Sequence, residues 1–126
     1  MEPNIVYQFK YGKAIIRKTP SEWFIIDKNG TETAFPKELR TNEYVFSENH
    51  IPVYYQTKDK KKYGYMNSSG ELIVPCILDY AENFCNGYAC VIYEGQDAIL
   101  NKEGNLYLVK DLLSGKDSKY KNVFKQ

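Results

Sequence analysis

Apolar and polar positions alternate in short runs along this chain, and the runs return at a regular spacing. Ala14 and Ile16, Ile51 and Val53, and Ala89 and Val91 are each separated by one residue. A period of two puts both members of a pair on one face of a strand. Each pair is preceded by a phenylalanine and by a residue suited to left-handed backbone: Phe9 with Gly12, Phe46 with Asn49, Phe84 with Gly87. Phe46 follows Phe9 by 37 residues, and Phe84 follows Phe46 by 38. Self-similarity at such a period marks a repeat architecture.

A second motif follows in every copy. It reads Trp23-Phe24-Ile25-Ile26-Asp27-Lys28-Asn29-Gly30, then Tyr63-Gly64-Tyr65-Met66-Asn67-Ser68-Ser69-Gly70, then Asp97-Ala98-Ile99-Leu100-Asn101-Lys102-Glu103-Gly104. Asp or Asn caps its own following backbone and Gly accepts positive φ, so the motif predicts a strand running into a β-turn. Strand one is expected at 14–18, 51–56 and 89–93, strand two at 23–27, 63–67 and 97–101, and strand three after the glycine at 33–35, 72–74 and 106–109. The connections between strands one and two are Thr19-Pro20-Ser21, the lysine-rich run 57–61 and the tight pair Glu94-Gly95. Helix signals are confined to 110–113, with an extension over 118–124. The expected fold is all-β: three tandem meander units within a single domain 1–126, at about 7–43, 44–80 and 81–109. The segment 110–126 is a cap or a tail. Partial barrel, sandwich and solenoid all satisfy the pattern.

Composition agrees with strands. Of 126 residues, 43% are hydrophobic and 15% aromatic, with 12 tyrosines; Tyr, Phe, Ile and Val favour half-buried pleated surfaces. Seventeen basic against 16 acidic residues leave a net charge of +1, so no global field steers the chain to nucleic acid or an anionic membrane. No apolar run nears the roughly 20 residues that span a bilayer. The opening residues lack a basic segment followed by an apolar one. These features predict a soluble cytoplasmic protein. Cys76, Cys85 and Cys90 are odd in number, have no C-x-x-C spacing and accompany a single histidine, His50. They are read as small buried hydrophobes rather than disulfide or metal ligands, and His50 as a rim residue.

The two motifs together resemble the WG repeat, a bacterial β-repeat. The front half appears in Phe84-Cys85-Asn86-Gly87-Tyr88-Ala89-Cys90-Val91. The back half appears from Lys62-Tyr63-Gly64-Tyr65-Met66 to Gly70, Ile73-Val74-Pro75 and Asp79-Tyr80, and Trp23 with Asp27-Lys28-Asn29-Gly30 completes the set. Residues 7–109 carry the resemblance, although no copy holds Trp and Gly together, so the copies are degenerate. It implies a binding or scaffolding role without shared catalytic residues.

Chemistry-bearing constellations are sparse. Carboxylates such as Asp27, Asp59, Glu71 and Glu103 fall at turns, and no phosphate loop, dinucleotide fingerprint or zinc-protease helix occurs. The expectation is a non-enzymatic protein without cofactor or metal, acting on a protein partner as an adaptor, inhibitor or immunity-type module. The variable loops 18–22 and 57–62 differ most between otherwise matched copies. They point to Trp23, Tyr54, Lys58, Lys60 and Lys61 as the contact residues. The alternatives are a glycan or cell-wall binder, which would ordinarily require export, and a nucleic-acid binder using the lysine-rich loop between tyrosines. Uncapped repeat ends would favour a homodimer.

Overall fold

The computed structural model describes residues 5–6, 9–19, 22–36, 38–43 and 46–124. Each copy of the repeat forms its own antiparallel sheet. The first runs β1 (Ile5–Val6), β2 (Lys13–Thr19), β3 (Glu22–Asp27) and β4 (Glu32–Ala34), in that order across the sheet. The second comprises β5 (His50–Gln56), β6 (Lys61–Asn67) and β7 (Leu72–Leu78). The third has β8 (Tyr80–Ala81), β9 (Tyr88–Tyr93), β10 (Gln96–Asn101), β11 (Asn105–Leu108) and β12 (Lys121–Asn122), ordered β12-β11-β10-β9-β8. One short helix, α1 (Val109–Leu113), leaves β11. The fold is all-β, as the pattern predicts, and it does not close into a barrel. Of the first connection, Pro20 and Ser21 lie outside the described residues.

The turns repeat the same left-handed backbone. Gly12, Asn49 and Gly87 take φ of 72°, 64° and 87°. The residues before them, Tyr11, Glu48 and Asn86, are also left-handed at 57°, 52° and 54°. Two consecutive positive φ values define the type I′ turn, whose twist matches that of the flanking strands. The turn is closed by reciprocal backbone bonds between Lys10 and Lys13, Ser47 and His50, and Cys85 and Tyr88. The second turn is equally uniform. Asp27 Oδ1 accepts from the amides of Asn29 and Thr31, Asn67 Oδ1 from those of Ser69 and Glu71, and Asn101 Oδ1 from those of Glu103 and Asn105, all at 2.9–3.0 Å. Gly30, Gly70 and Gly104 share a φ of 85°.

The structure adds an entry strand before each phenylalanine. Ile5 pairs with Arg17, Arg40 with Tyr54, and Tyr80 with Ile92. Each partner lies eight residues past the opening phenylalanine. In the second copy this strand shrinks to the Arg40 bridge. The tail also departs from expectation. Only 109–113 is helical, and 121–122 adds a strand to β11 instead of continuing a helix. Val123 is buried in the core and Asn122 Nδ2 donates to Asn105 Oδ1 at 2.8 Å, so the tail as far as Phe124 is an ordered cap.

The sheets stack face to face in chain order. One face of β6 sends Tyr63 and Tyr65 into a core shared with Phe84, Ala89, Val91 and Leu100 of the third sheet. The other face sends Met66 into a core shared with Ile15, Trp23 and Ile25 of the first. The middle sheet is therefore buried on both faces.

Gly64 sits where β7 bulges. Tyr65 pairs with Val74 but Tyr63 with Leu78, which inserts two extra residues into β7. A Cβ on Gly64 would lie 2.2 Å from the Val74 carbonyl oxygen and 2.9 Å from that of Pro75. The first and third sheets keep a regular register here and hold Phe24 and Ala98 instead. Gly64 is thus required by a close backbone approach that, among the described residues, only the second sheet makes. Gly64→Ala is expected to destabilise the fold by about 1–3 kcal/mol, measured as a lower urea midpoint at unchanged slope.

Candidate functional site

The β5–β6 hairpin projects the lysine-rich tip. Thr57 N donates to Lys60 O at 2.8 Å, and Lys60 N donates to Thr57 Oγ1 at 3.1 Å, which closes the loop and leaves Lys58 and Lys60 exposed. Lys61 folds back, its Nζ 4.4 Å from the Tyr54 ring centroid and 5.3 Å from that of Tyr63. Such a cation is attracted to the electron-rich ring face. Tyr54, Tyr63 and Tyr80 form a ladder with centroids 5.7 and 5.5 Å apart. Lys62 pairs with Asp79, whose other carboxylate oxygen accepts from Gly95 N at 2.8 Å. These partners, Lys62 first, hold the Asp79 carboxyl below its ordinary range. The ladder thus runs from the second sheet onto β8 of the third.

The structure brings Tyr54, Lys58, Lys60 and Lys61 together and leaves Trp23 elsewhere. Trp23 is a packing residue, only 8% exposed, in the core between the first two sheets. Its ring stacks on Phe35 at 6.1 Å, and the Arg17 guanidinium lies 5.0 Å away. The period of two explains this: Trp23 shares a face with Ile25, which meets the second sheet. Tyr63 is its counterpart against the third sheet, and Asp97 occupies the same position where no further sheet follows among the described residues.

Two other expectations change. Cys85 and Cys90 are exposed rather than buried, because both lie on the outer face of the third sheet or its turn. Cys76 is half-buried, and burial raises its thiol to about 11. His50 is half-buried between units, with its ring 4.7 Å from that of Phe84 and Nδ1 2.6 Å from Glu48 O.

Past Tyr80 the outer face of the third sheet opens into a groove of about 590 Å³, lined by Cys85, Tyr88, Cys90, Ile99, Tyr107 and Leu112. Glu82 and Asp117 stand on its wall, and Asp97 lines the adjoining hollow with Tyr80. Tyr88 is 55% exposed. The sequence reading missed this surface. Asp97 in the Trp23 position was the one local sign that the third outer face differs.

Between the second and third sheets the turns are clasped. Ser47 Oγ donates to Phe84 O at 2.6 Å, Gly87 N to Glu48 Oε1 at 2.9 Å, and Lys102 Nζ lies 3.0 Å from the same carboxylate oxygen. Tyr65 donates its hydroxyl to Glu82 O at 2.6 Å, and burial raises its pKa well above the ordinary phenol value. Among the described residues no group of three His, Cys, Asp or Glu side chains converges as a metal site. No helix among them is long and apolar enough to cross a membrane.

Residues 63–96 match the family model described as WG containing repeat. The matched stretch starts at Tyr63-Gly64 on β6, passes through β7, β8 and β9, and ends at Gln96. It therefore straddles the second and third sheets and contains their interface. The resemblance read from the two motifs is shown for this segment. Comparison with curated proteins gives no match, and neither does comparison with solved structures.

The clasp makes stability depend on acid. The Lys102 ammonium and then the Gly87 amide hold Glu48 below its ordinary value of 4.5. Burial holds His50 below 6.5. In both cases the unfolded chain takes up the proton more readily, so stability is complete above the ordinary value and is lost as pH falls through the folded one. The urea midpoint is expected to be level between neutrality and about 9, to decline below about 6.5 and to decline further below about 4.5. Glu48→Gln should lower the midpoint above about 4.5, where the carboxylate bonds act, and remove the further decline below it.

Proposed function

We propose that this chain is a non-enzymatic module that binds another protein, as an adaptor, inhibitor or immunity-type protein, through its hairpin tip and tyrosine ladder. The observation that carries this reading is the pairing of exposed Lys58 and Lys60 with the Tyr54 and Tyr80 rings, which the buried Tyr63 between them fixes on two adjoining sheets. Tyrosine offers a large rigid apolar area and a polar end, and it is enriched in protein interfaces. Lysines at the rim speed encounter and favour an acidic partner surface. The match to WG containing repeat supports a repeat module and carries no catalytic assignment. Residence in the cytoplasm is part of the same proposal.

Ring geometry weighs against the nucleic-acid alternative. Neighbouring ladder rings are inclined by 47° and 68°, so they present edges and hydroxyls rather than parallel stacking platforms. A sugar-stacking site would likewise need an open ring face, and Lys61 covers that of Tyr54.

The test is capture of partners from the source organism with the wild-type chain and with the triple variant Tyr54→Ala, Lys60→Glu, Lys61→Glu. The proposal expects the variant to remain folded at the temperature of the assay and to lose a captured protein at least tenfold. Equal capture by both would overturn it.

A further inference from the structure

We infer that the groove on the third sheet receives the Phe9 turn of a second copy of this chain, so that copies associate head to tail. This surface is separate from the tyrosine ladder and goes beyond the reading above.

The argument comes from equivalent positions. Phe84 packs onto Tyr65, with centroids 5.0 Å apart, and onto His50 at 4.7 Å, while its carbonyl accepts from Ser47. One repeat further on, the residues matching Ser47, His50, Pro52 and Tyr65 are Cys85, Tyr88, Cys90 and Ile99. Those four line the groove of about 590 Å³. One repeat back, the residues matching Pro52 and Tyr65 are Ile15 and Ile25, and they share a buried cluster with Phe46. The groove is therefore the third instance of a surface that twice receives a phenylalanine turn. Ile99 in place of Tyr65 leaves it roomier than the earlier instance.

Among the described residues one turn of the required shape is not covered in this way. Phe46 and Phe84 are 0% and 3% exposed, whereas Phe9 is 42% exposed and Tyr11 50%. The Phe9 turn has the same two left-handed residues and the same reciprocal bonds as the two docked turns. Charge agrees with the pairing. The Phe9 turn carries Lys10 and Lys13, while the charged side chains lining the groove and its adjoining hollow are Glu82, Asp97 and Asp117. Because the two surfaces are different patches, the contact is heterologous, and each copy keeps a free turn and a free groove.

Two variants test this without touching a buried side chain. Phe9→Asp spoils the turn, and Cys90→Arg fills the groove and offsets part of its negative charge; both positions are exposed. Sedimentation equilibrium of the wild-type chain should give a mass that rises with concentration above 14.7 kDa. Each variant alone should stay at 14.7 kDa. An equimolar mixture should form a two-chain species, since one variant keeps the groove and the other the turn. A wild-type chain that remains monomeric overturns the inference. So does a variant that still associates, or a mixture that stays monomeric. Capture through the tyrosine ladder is read separately, so either proposal can fail alone.

Discussion

Every sheet after the first is held in place by a phenylalanine driven into the face of the sheet before it. Phe46 enters the core with Ile15 and Ile25, and Phe84 enters the one with Tyr65. The type I′ turn next to each ring is what lets it arrive there. Two left-handed residues reverse the chain within the width of a hairpin, and the strand that follows lays its plus-five and plus-seven side chains beside the ring. The polar contacts follow from this docking. Glu48 can meet the Gly87 amide and Lys102 only because the second and third turns are stacked one repeat apart.

The stack consequently has a direction. One face of each sheet presents Phe, Ile, Val or Ala to its predecessor, and the other presents Trp23 and Ile25, or Tyr63 and Tyr65, to its successor. Asp97 interrupts this series at the third sheet, where the surface becomes an acidic-walled apolar groove. The tyrosine ladder crosses the same sheet boundary along its side, secured by Lys62 and Asp79. The family-model match covers this boundary rather than one sheet.

Much of this was legible in residue patterns. The period gave three sheets, and the Asp or Asn with a following Gly located three identical turns. Positive φ at Gly12, Asn49 and Gly87 could be read from residue type. Positive φ at Tyr11 and Glu48 could not, because only the strand twist demands it there. The entry strands were hidden because their pairing is long-range and their sequences share no motif. The segment 118–124 has no period of its own, and Val123 and the Asn122 amide group find their partners only across β11. Trp23 was misplaced because variation between copies was taken as a sign of contact, whereas at that position it tracks which sheet comes next. The exposed cysteines and the groove depend on where the stack of described sheets stops, which no local spacing reports.

The central claim is that docking of the phenylalanine on the preceding sheet holds the stack. Urea denaturation of three single variants, Phe9→Ala, Phe46→Ala and Phe84→Ala, tests it most directly, with protein dilute enough to remain monomeric. Removal of a buried phenylalanine costs about 3–5 kcal/mol, and removal of an exposed one costs within about 0.5 kcal/mol. The account predicts large and similar losses at Phe46 and Phe84 and almost none at Phe9. Equal losses at all three positions, or a small loss at Phe84, would contradict it.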